Sequence, residues 1–161
     1  KPIMYEEINE LFKTISRLIN LCRRMINKKP PYDAVTSKYA YRFLTSLMNI
    51  ATFIVYSYDY AKKTDKLQLS QSEIELIKKV RDFYNHLLMA YQNLNIEKTK
   101  QFFAEREKMF DDVLELLNEK NPVIIHYFLD ILKELSSIGN LILILKINEE
   151  NKEPSHSKLL A

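Results

Sequence analysis

Apolar residues recur every three or four positions over most of the chain, which predicts an all-α fold. In the first segment, residues 3–28, they form one continuous helical face: Ile8, Leu11, Phe12, Ile15, Leu18, Ile19, Cys22, Met25 and Ile26. The motif KKPPYD ends this helix, because proline cannot continue it. Glutamates stand near its start and basic residues near its end, which is the order that the helix dipole favours.

The next two predicted helices differ in character. The second spans about 33–63 and is apolar on nearly every face between residues 43 and 58, so we expect it to be central. The third starts at Ser70, which forms a capping-box pattern with Glu73. Its apolar residues alternate spacings of three and four, a seam suited to packing beside another helix. The predicted seam consists of Ile77, Val80, Tyr84, Leu87, Tyr91 and Leu94.

Two more helices and a tail complete the predicted organisation. The fourth helix covers about 96–119, and the fifth, capped by Asn121, covers about 122–148 and is nearly continuous in Ile and Leu. Because the connections are short, we expect an antiparallel bundle of about five helices at 1–148. Residues 149–161 lack an apolar period and are predicted to be a polar tail.

The chain contains one short pattern twice, as LTSLMN ending at Asn49 and as LSSIGN ending at Asn140. A proline precedes each asparagine at the same spacing, which favours duplication over chance. The pattern therefore predicts two repeats, at about 3–63 and 70–148. Because unpaired amides are unfavourable on apolar helices, we expect the asparagines, with Ser46 and Ser137, to form a polar patch between the repeats.

The segments PPYDAVTSKYAYRFLTSLMN, at 30–49, and NPVIIHYFLDILKELSSIGN, at 121–140, resemble the PhoU family of phosphate-uptake regulators. That family consists of tandem three-helix bundles, each with an acidic helix, a proline-bearing turn and a helix ending in Leu-Glu-Arg-Ile-Gly-Asp. The resemblance covers about 3–148. It implies a regulatory or adaptor protein that docks on a protein partner, such as a transporter component or a signalling protein, in phosphate-uptake control. It also implies that the first repeat's opening helix lies upstream of Lys1.

The acidic helix of the family carries carboxylates that can bind metal, and Glu107 and Asp111 match this pattern in the second repeat. They are neighbours on a helix and suit a divalent or transition metal. A solvated acidic face is the alternative interpretation. Asn49 and Asn140 stand where the family has aspartate, so we expect metal binding to be absent or reduced and no cofactor to be needed.

The charge distribution offers a second functional hypothesis. The net charge is +3, with a basic excess in residues 1–100 and an acidic excess in residues 101–161. Six basic residues with tyrosines between them flank the first turn, and cations with stacking rings suit single-stranded nucleic acid. These residues are Arg23, Arg24, Lys28, Lys29, Lys38 and Arg42. The alternative function is therefore a small helical nucleic-acid-binding subunit of a larger complex.

Other classes of protein find no support in the sequence. Catalytic triads, glycine-rich phosphate loops and zinc-ligand spacings are missing, so we expect no enzyme activity and no catalytic residues. Cys22 is the only cysteine and lies in an apolar stripe, which predicts a buried thiol in a reducing, cytoplasmic environment. The longest apolar stretch contains Arg42 and several polar residues, which argues against a membrane span. A homo-oligomer is compatible with all of these features.

Overall fold

The computed structural model describes residues 5–28, 34–64, 67–93, 96–117 and 121–150, which contain five helices and no strand. The helices are α1 (Tyr5–Lys28), α2 (Ala34–Lys63), α3 (Gln71–Asn93), α4 (Ile96–Leu116) and α5 (Pro122–Glu150). The predicted all-α bundle of five helices is confirmed. Residues 151–161, most of the predicted tail, lie outside the described residues.

Helix α5 is the centre of the fold. It packs against α2, α3 and α4, and its buried residues contribute much of the core, including Ile125, Leu132 and Leu135, which are fully buried. Helix α2 makes its most extensive contact with α5, as expected of a central helix, although Ile54 and Tyr56 are exposed. Helix α2 lies between α1 and α5 and has no third neighbour among the described helices, so part of its apolar surface is left uncovered.

The starts of α3 and α5 are joined through one buried carboxylate. The Ser70 amide donates to Glu73 Oε2 at 2.7 Å, and the Glu73 amide donates to Ser70 Oγ at 3.2 Å, which confirms the predicted capping box. The same Glu73 side chain accepts hydrogen bonds from Asn121, from the backbone amide at 3.1 Å and from Nδ2 at 2.9 Å. Glu73 is fully buried, and both of its carboxylate oxygens accept hydrogen bonds.

The buried seam of α3 differs from the predicted one. It runs through Leu76, Val80, Phe83 and Leu87, while Tyr84 is exposed. The side chains of Tyr91 and Leu94 lie outside the described residues. Val80 and Leu87 belong to both the predicted and the observed seam, and Phe83 of the observed seam stacks on Phe102 of α4 with ring centroids 4.2 Å apart.

The close approach of α4 to α5 depends on the only glycine in the chain. A Cβ atom at Gly139 would lie 2.4 Å from Cε1 of Phe102, a distance that real side chains do not tolerate. The Phe102 ring thus occupies the space that any other residue at position 139 would need. This contact explains why Gly139 stands where the first repeat has Met48.

Helices α1 and α2 form an antiparallel hairpin that is held at both ends. At one end the ring of Tyr5 stacks on Tyr58 at 5.7 Å, with Lys62 Nζ 3.9 Å from the Tyr5 centroid. At the other end Arg23 Nη2 donates to Thr45 Oγ1 at 3.0 Å. Among the described helices, α2 is the only one against which α1 packs.

Replacement of Glu73 by alanine is expected to lower the free energy of unfolding by about 3 kcal/mol, because the buried donors of Asn121 and the partly buried amide of Ser70 lose their acceptor. Urea denaturation followed by circular dichroism measures the change. Glu75→Ala is the matched control, since Glu75 is exposed and bonds only to Gln71 in its own helix, and it should change stability by less than about 0.5 kcal/mol. Equal effects of the two substitutions would contradict the assigned role of Glu73.

Gly139→Ala tests the packing of α5 on α4. At an open helix position this change stabilises by about 1 kcal/mol, but here we expect a loss of about 1 to 3 kcal/mol, because the new methyl group meets Phe102. Adding Phe102→Leu should make the loss smaller than the sum of the two single losses. A stabilising Gly139→Ala would show that α4 and α5 are not in this close contact.

Candidate functional site

One face of α1 is apolar and uncovered. We define the α1 seam as Leu11, Ile15, Leu18, Cys22 and Met25, whose spacings alternate between four and three residues. Leu11 is 60% exposed, Leu18 57% and Met25 61%. The seam is exposed because the neighbouring stripe, including the buried Ile19, is the part of α1 that packs on α2.

An open groove of about 580 Å³ lies beside this seam, between α1 and α2. Its walls are apolar on both sides, with Leu47 and Ile54 on the α2 side facing Leu11 and Leu18 on the α1 side. Tyr84 of α3 borders it as well. Four residues of the α1 seam, Leu11, Ile15, Leu18 and Cys22, line this groove.

The prediction of a buried Cys22 thiol is wrong. Cys22 is exposed and belongs to the lining of the groove. Its place in an apolar stripe indicated burial, and that inference requires a neighbouring helix on the same side of α1. Helix α2 covers a different side, so the thiol remains at the surface.

The two halves of the bundle are unequal in one respect. In the second half α3 packs against both α4 and α5. In the first half α1 and α2 form the pair that corresponds to α4 and α5, but no described helix packs against both of them. Among the described helices, none therefore packs across the groove between α1 and α2.

The repeat pattern lies where the two halves meet. Asn49 of α2 bonds to Glu134 of α5, and Tyr56 of α2 contacts Tyr127 of α5. The two α2 residues and the two α5 residues are each seven positions apart, but the contacts run in opposite directions along the two helices. This antiparallel register places Ser46 opposite Ser137, so the repeated segments cross at matching positions. Ser46 is fully buried there.

Equivalent hydroxyl groups make equivalent bonds in the two repeats. Thr45 Oγ1 donates to the backbone oxygen of Tyr41 at 2.9 Å. At the matching position of the second repeat, Ser136 Oγ donates to the backbone oxygen of Leu132 at 2.8 Å. Both are bonds to the preceding helical turn, and Thr45 Oγ1 in addition accepts the hydrogen bond from Arg23 of α1.

The asparagines that end the two patterns have different environments. Asn49 is partly buried, and its Nδ2 donates to Glu134 Oε1 at 2.7 Å across the α2–α5 interface. Asn140 is exposed. The prediction that both asparagines lie in one polar patch is therefore wrong for Asn140, and Ser46 Oγ is buried without a hydrogen-bond partner among the described residues. Glu134, which supplies the partner, was not among the predicted site residues, and only its position opposite Asn49 reveals it.

The candidate metal residues lie on the outer face of α4. Glu107 and Asp111 are both exposed, and Glu107 lies 3.9 Å from Arg106. The next carboxylate, Asp112, pairs with Lys79 of α3 at 2.6 Å. Within the described ranges no three His, Cys, Asp or Glu side chains are grouped closely enough to hold a metal ion.

A carboxylate near the start of α1, that of Glu10, is likewise exposed and lies beside a basic residue. Glu10 pairs with Lys13 at 2.7 Å, and the hydrogen bond from the Lys13 ammonium, with its charge, lowers the pKa of the Glu10 carboxyl below its ordinary value. The first turn of α1 is thus an acidic, solvated segment with a basic residue beside it.

The environment of Arg23 differs from that of the other described basic residues near the first turn. Arg23 is directed inward, to Thr45, and its guanidinium lies 5.1 Å from the centroid of the Tyr41 ring. The exposed members of the set are Arg24, Lys28, Lys38 and Arg42. Lys29 lies outside the described residues. Arg23 therefore stabilises the α1–α2 hairpin, and binding of nucleic acid by the remaining residues stays a prediction.

No helix in the described part of the chain combines the length and the hydropathy needed to cross a membrane.

Asn49→Asp is expected to destabilise the protein by about 2 kcal/mol at neutral pH, because two carboxylates then meet within hydrogen-bond distance in a partly buried interface. Since protonation of one carboxyl restores a hydrogen bond, the loss should shrink as the pH falls toward about 4. Urea denaturation at several pH values measures it. Asn140→Asp is the matched control from the second repeat and should be nearly neutral, because Asn140 is exposed. Equal losses at the two positions would contradict the Asn49–Glu134 contact.

Comparison with known proteins does not assign this chain to a family, since no protein-family model, curated protein or solved structure matches it.

Proposed function

We propose that this chain is a non-enzymatic helical adaptor that acts by docking a helix on the α1 seam and the adjoining groove. The observation that carries the proposal is the exposure of the seam, where Leu11, Leu18 and Met25 are each more than half exposed. Large side chains spaced in heptads on a well-formed helix are the usual contact surface for another helix.

The shape of the groove supports a helix as the docked element. Helix α3 shows how a third helix fits the second half, where it covers the apolar surfaces of α4 and α5. The corresponding surfaces of α1 and α2 are apolar and border an open channel. A helix with its own apolar face would bury these residues, which removes apolar surface from water and favours association.

The repeat geometry supports a regulator of the PhoU type as the finer form of this proposal. The antiparallel crossing of α2 and α5 at Ser46 and Ser137, and the matching bonds of Thr45 and Ser136, are what a duplicated helix pair would produce. In such a protein the docked partner is a transporter component or a signalling protein of phosphate-uptake control. Metal does not enter the proposal, because Glu107 and Asp111 lie away from the groove and its lining contains no carboxylate.

The experiment that tests the adaptor function places a photo-reactive amino acid at position 18 of the chain in its own cells. Because Leu18 lies in the middle of the seam, irradiation should produce a covalent adduct with another protein chain. The same amino acid at position 20 is the control, since Asn20 is exposed on α1 outside the groove lining. Mass spectrometry identifies the adduct, and a phosphate-transporter component would support the finer proposal.

Absence of an adduct at position 18 beyond the level at position 20 would overturn the docking function.

A further inference from the structure

The length and spacing of the α1 seam indicate which kind of helix would cover it. Its heptad spacing includes Ile8, which lies one step before Leu11, so the apolar positions run through most of the 24 residues of α1. With Ile8 included, the seam extends from Ile8 to Met25, over most of the length of α1. A partner helix of equal length and equal spacing would cover it fully.

The charges on α1 change sign along the helix. Glu6, Glu7 and Glu10 are exposed near the N-terminus, and Arg24 and Lys28 are exposed near the C-terminus. If two copies of α1 lie antiparallel, acidic residues of one meet basic residues of the other, whereas a parallel pair brings like charges together. The charge pattern of α1 is thus complementary to itself in the antiparallel orientation only.

On these grounds we propose that the occupant of the groove is α1 of a second copy of this chain, antiparallel to the first. The α1–α2 hairpins of the two copies then form a four-helix bundle around a twofold axis. This inference rests on the proposed function, because it requires the α1 seam to be a docking surface for a helix. It adds the identity of the helix that docks.

Heptad spacing and full overlap of the two seams together specify one register for this pair. In an antiparallel pair each first-position residue faces a fourth-position residue of the other helix. Ile15 of one copy then lies against Leu18 of the other, Leu11 against Cys22, and Ile8 against Met25. In this register Glu7 and Lys28, which flank the seam on the side away from α2, lie next to each other across the dyad. The apolar layers and the charge pair agree on a single alignment.

Analytical ultracentrifugation of the purified full chain tests the proposal over about two decades of protein concentration. The chain has a mass of 19.2 kDa, and the average mass should rise toward twice this value as concentration increases. Leu18→Glu places a charge at the central layer and should weaken dimerisation at least about 100-fold. Asn20→Glu adds the same charge on the same helix outside the seam and should dimerise like the unmodified chain.

Charge exchange tests the orientation. Glu7→Lys and Lys28→Glu should each weaken dimerisation, and the protein that carries both should recover it, because the pair is restored with its signs exchanged. Failure of the double variant to recover would overturn the antiparallel register. Circular dichroism of every variant shows whether α1 remains helical, and Asn20→Glu controls for a charge added to this helix.

Cys22 provides an independent readout of the same interface. In the proposed register its thiol is covered by Leu11 of the second copy, so its reaction with a thiol reagent should slow as the protein concentration rises. In Leu18→Glu the rate should be high and independent of concentration, because the thiol of the single chain is exposed. A concentration-independent rate in the unmodified chain would contradict the covered seam.

The outcomes separate this inference from the adaptor function. If the purified chain remains monomeric while position 18 still forms an adduct with a different protein in cells, the docking function stands and pairing between copies is overturned. If the chain is monomeric and position 18 forms no adduct, both proposals fall. Dimerisation that Leu18→Glu does not weaken would show that two copies associate through another surface and would overturn the inference.

Discussion

The burial of helix α5 is the constraint on which the arrangement of its neighbours depends. Helices α2, α3 and α4 cover its apolar surface between them, and a stripe with His126, Lys133 and Asn140 stays exposed. Among the described helices, α1 packs on α2 alone. Because α2 covers only one side of α1, the α1 seam stays exposed.

Two local contacts hold α5 in this position, and neither is an ordinary apolar one. The Glu73 carboxylate bonds to Asn121 and so joins the start of α5 to the capping box of α3. A buried carboxylate is unfavourable unless its oxygens are bonded, and here both are, which makes the alignment of the two helix starts specific. Gly139 lets the Phe102 ring approach the backbone of α5, and the ring in turn stacks on Phe83. Together these contacts determine the height and the rotation of α5 relative to α3 and α4.

The two asparagines that end the repeated sequence pattern have different environments. Asn49 meets Glu134, and an amide is suited to this place because it can donate to the carboxylate. An aspartate there would bring two negative charges together. Asn140 has no such constraint because it is exposed. An amide at position 49 therefore has a structural reason in this fold that an amide at position 140 lacks.

The sequence by itself determined the helices, since apolar periodicity, the capping box at Ser70, the cap at Asn121 and the prolines act within a few residues of one another. It also located the repeated segments that cross in the bundle. Which apolar face is buried was decided only by the tertiary structure. Cys22 and Leu18 belong to as regular a stripe as any core residue, yet they are exposed because burial requires a second helix on that side. A periodic pattern predicts that one face of a helix is apolar, whereas the packing of the whole chain decides which apolar faces are buried within the same molecule.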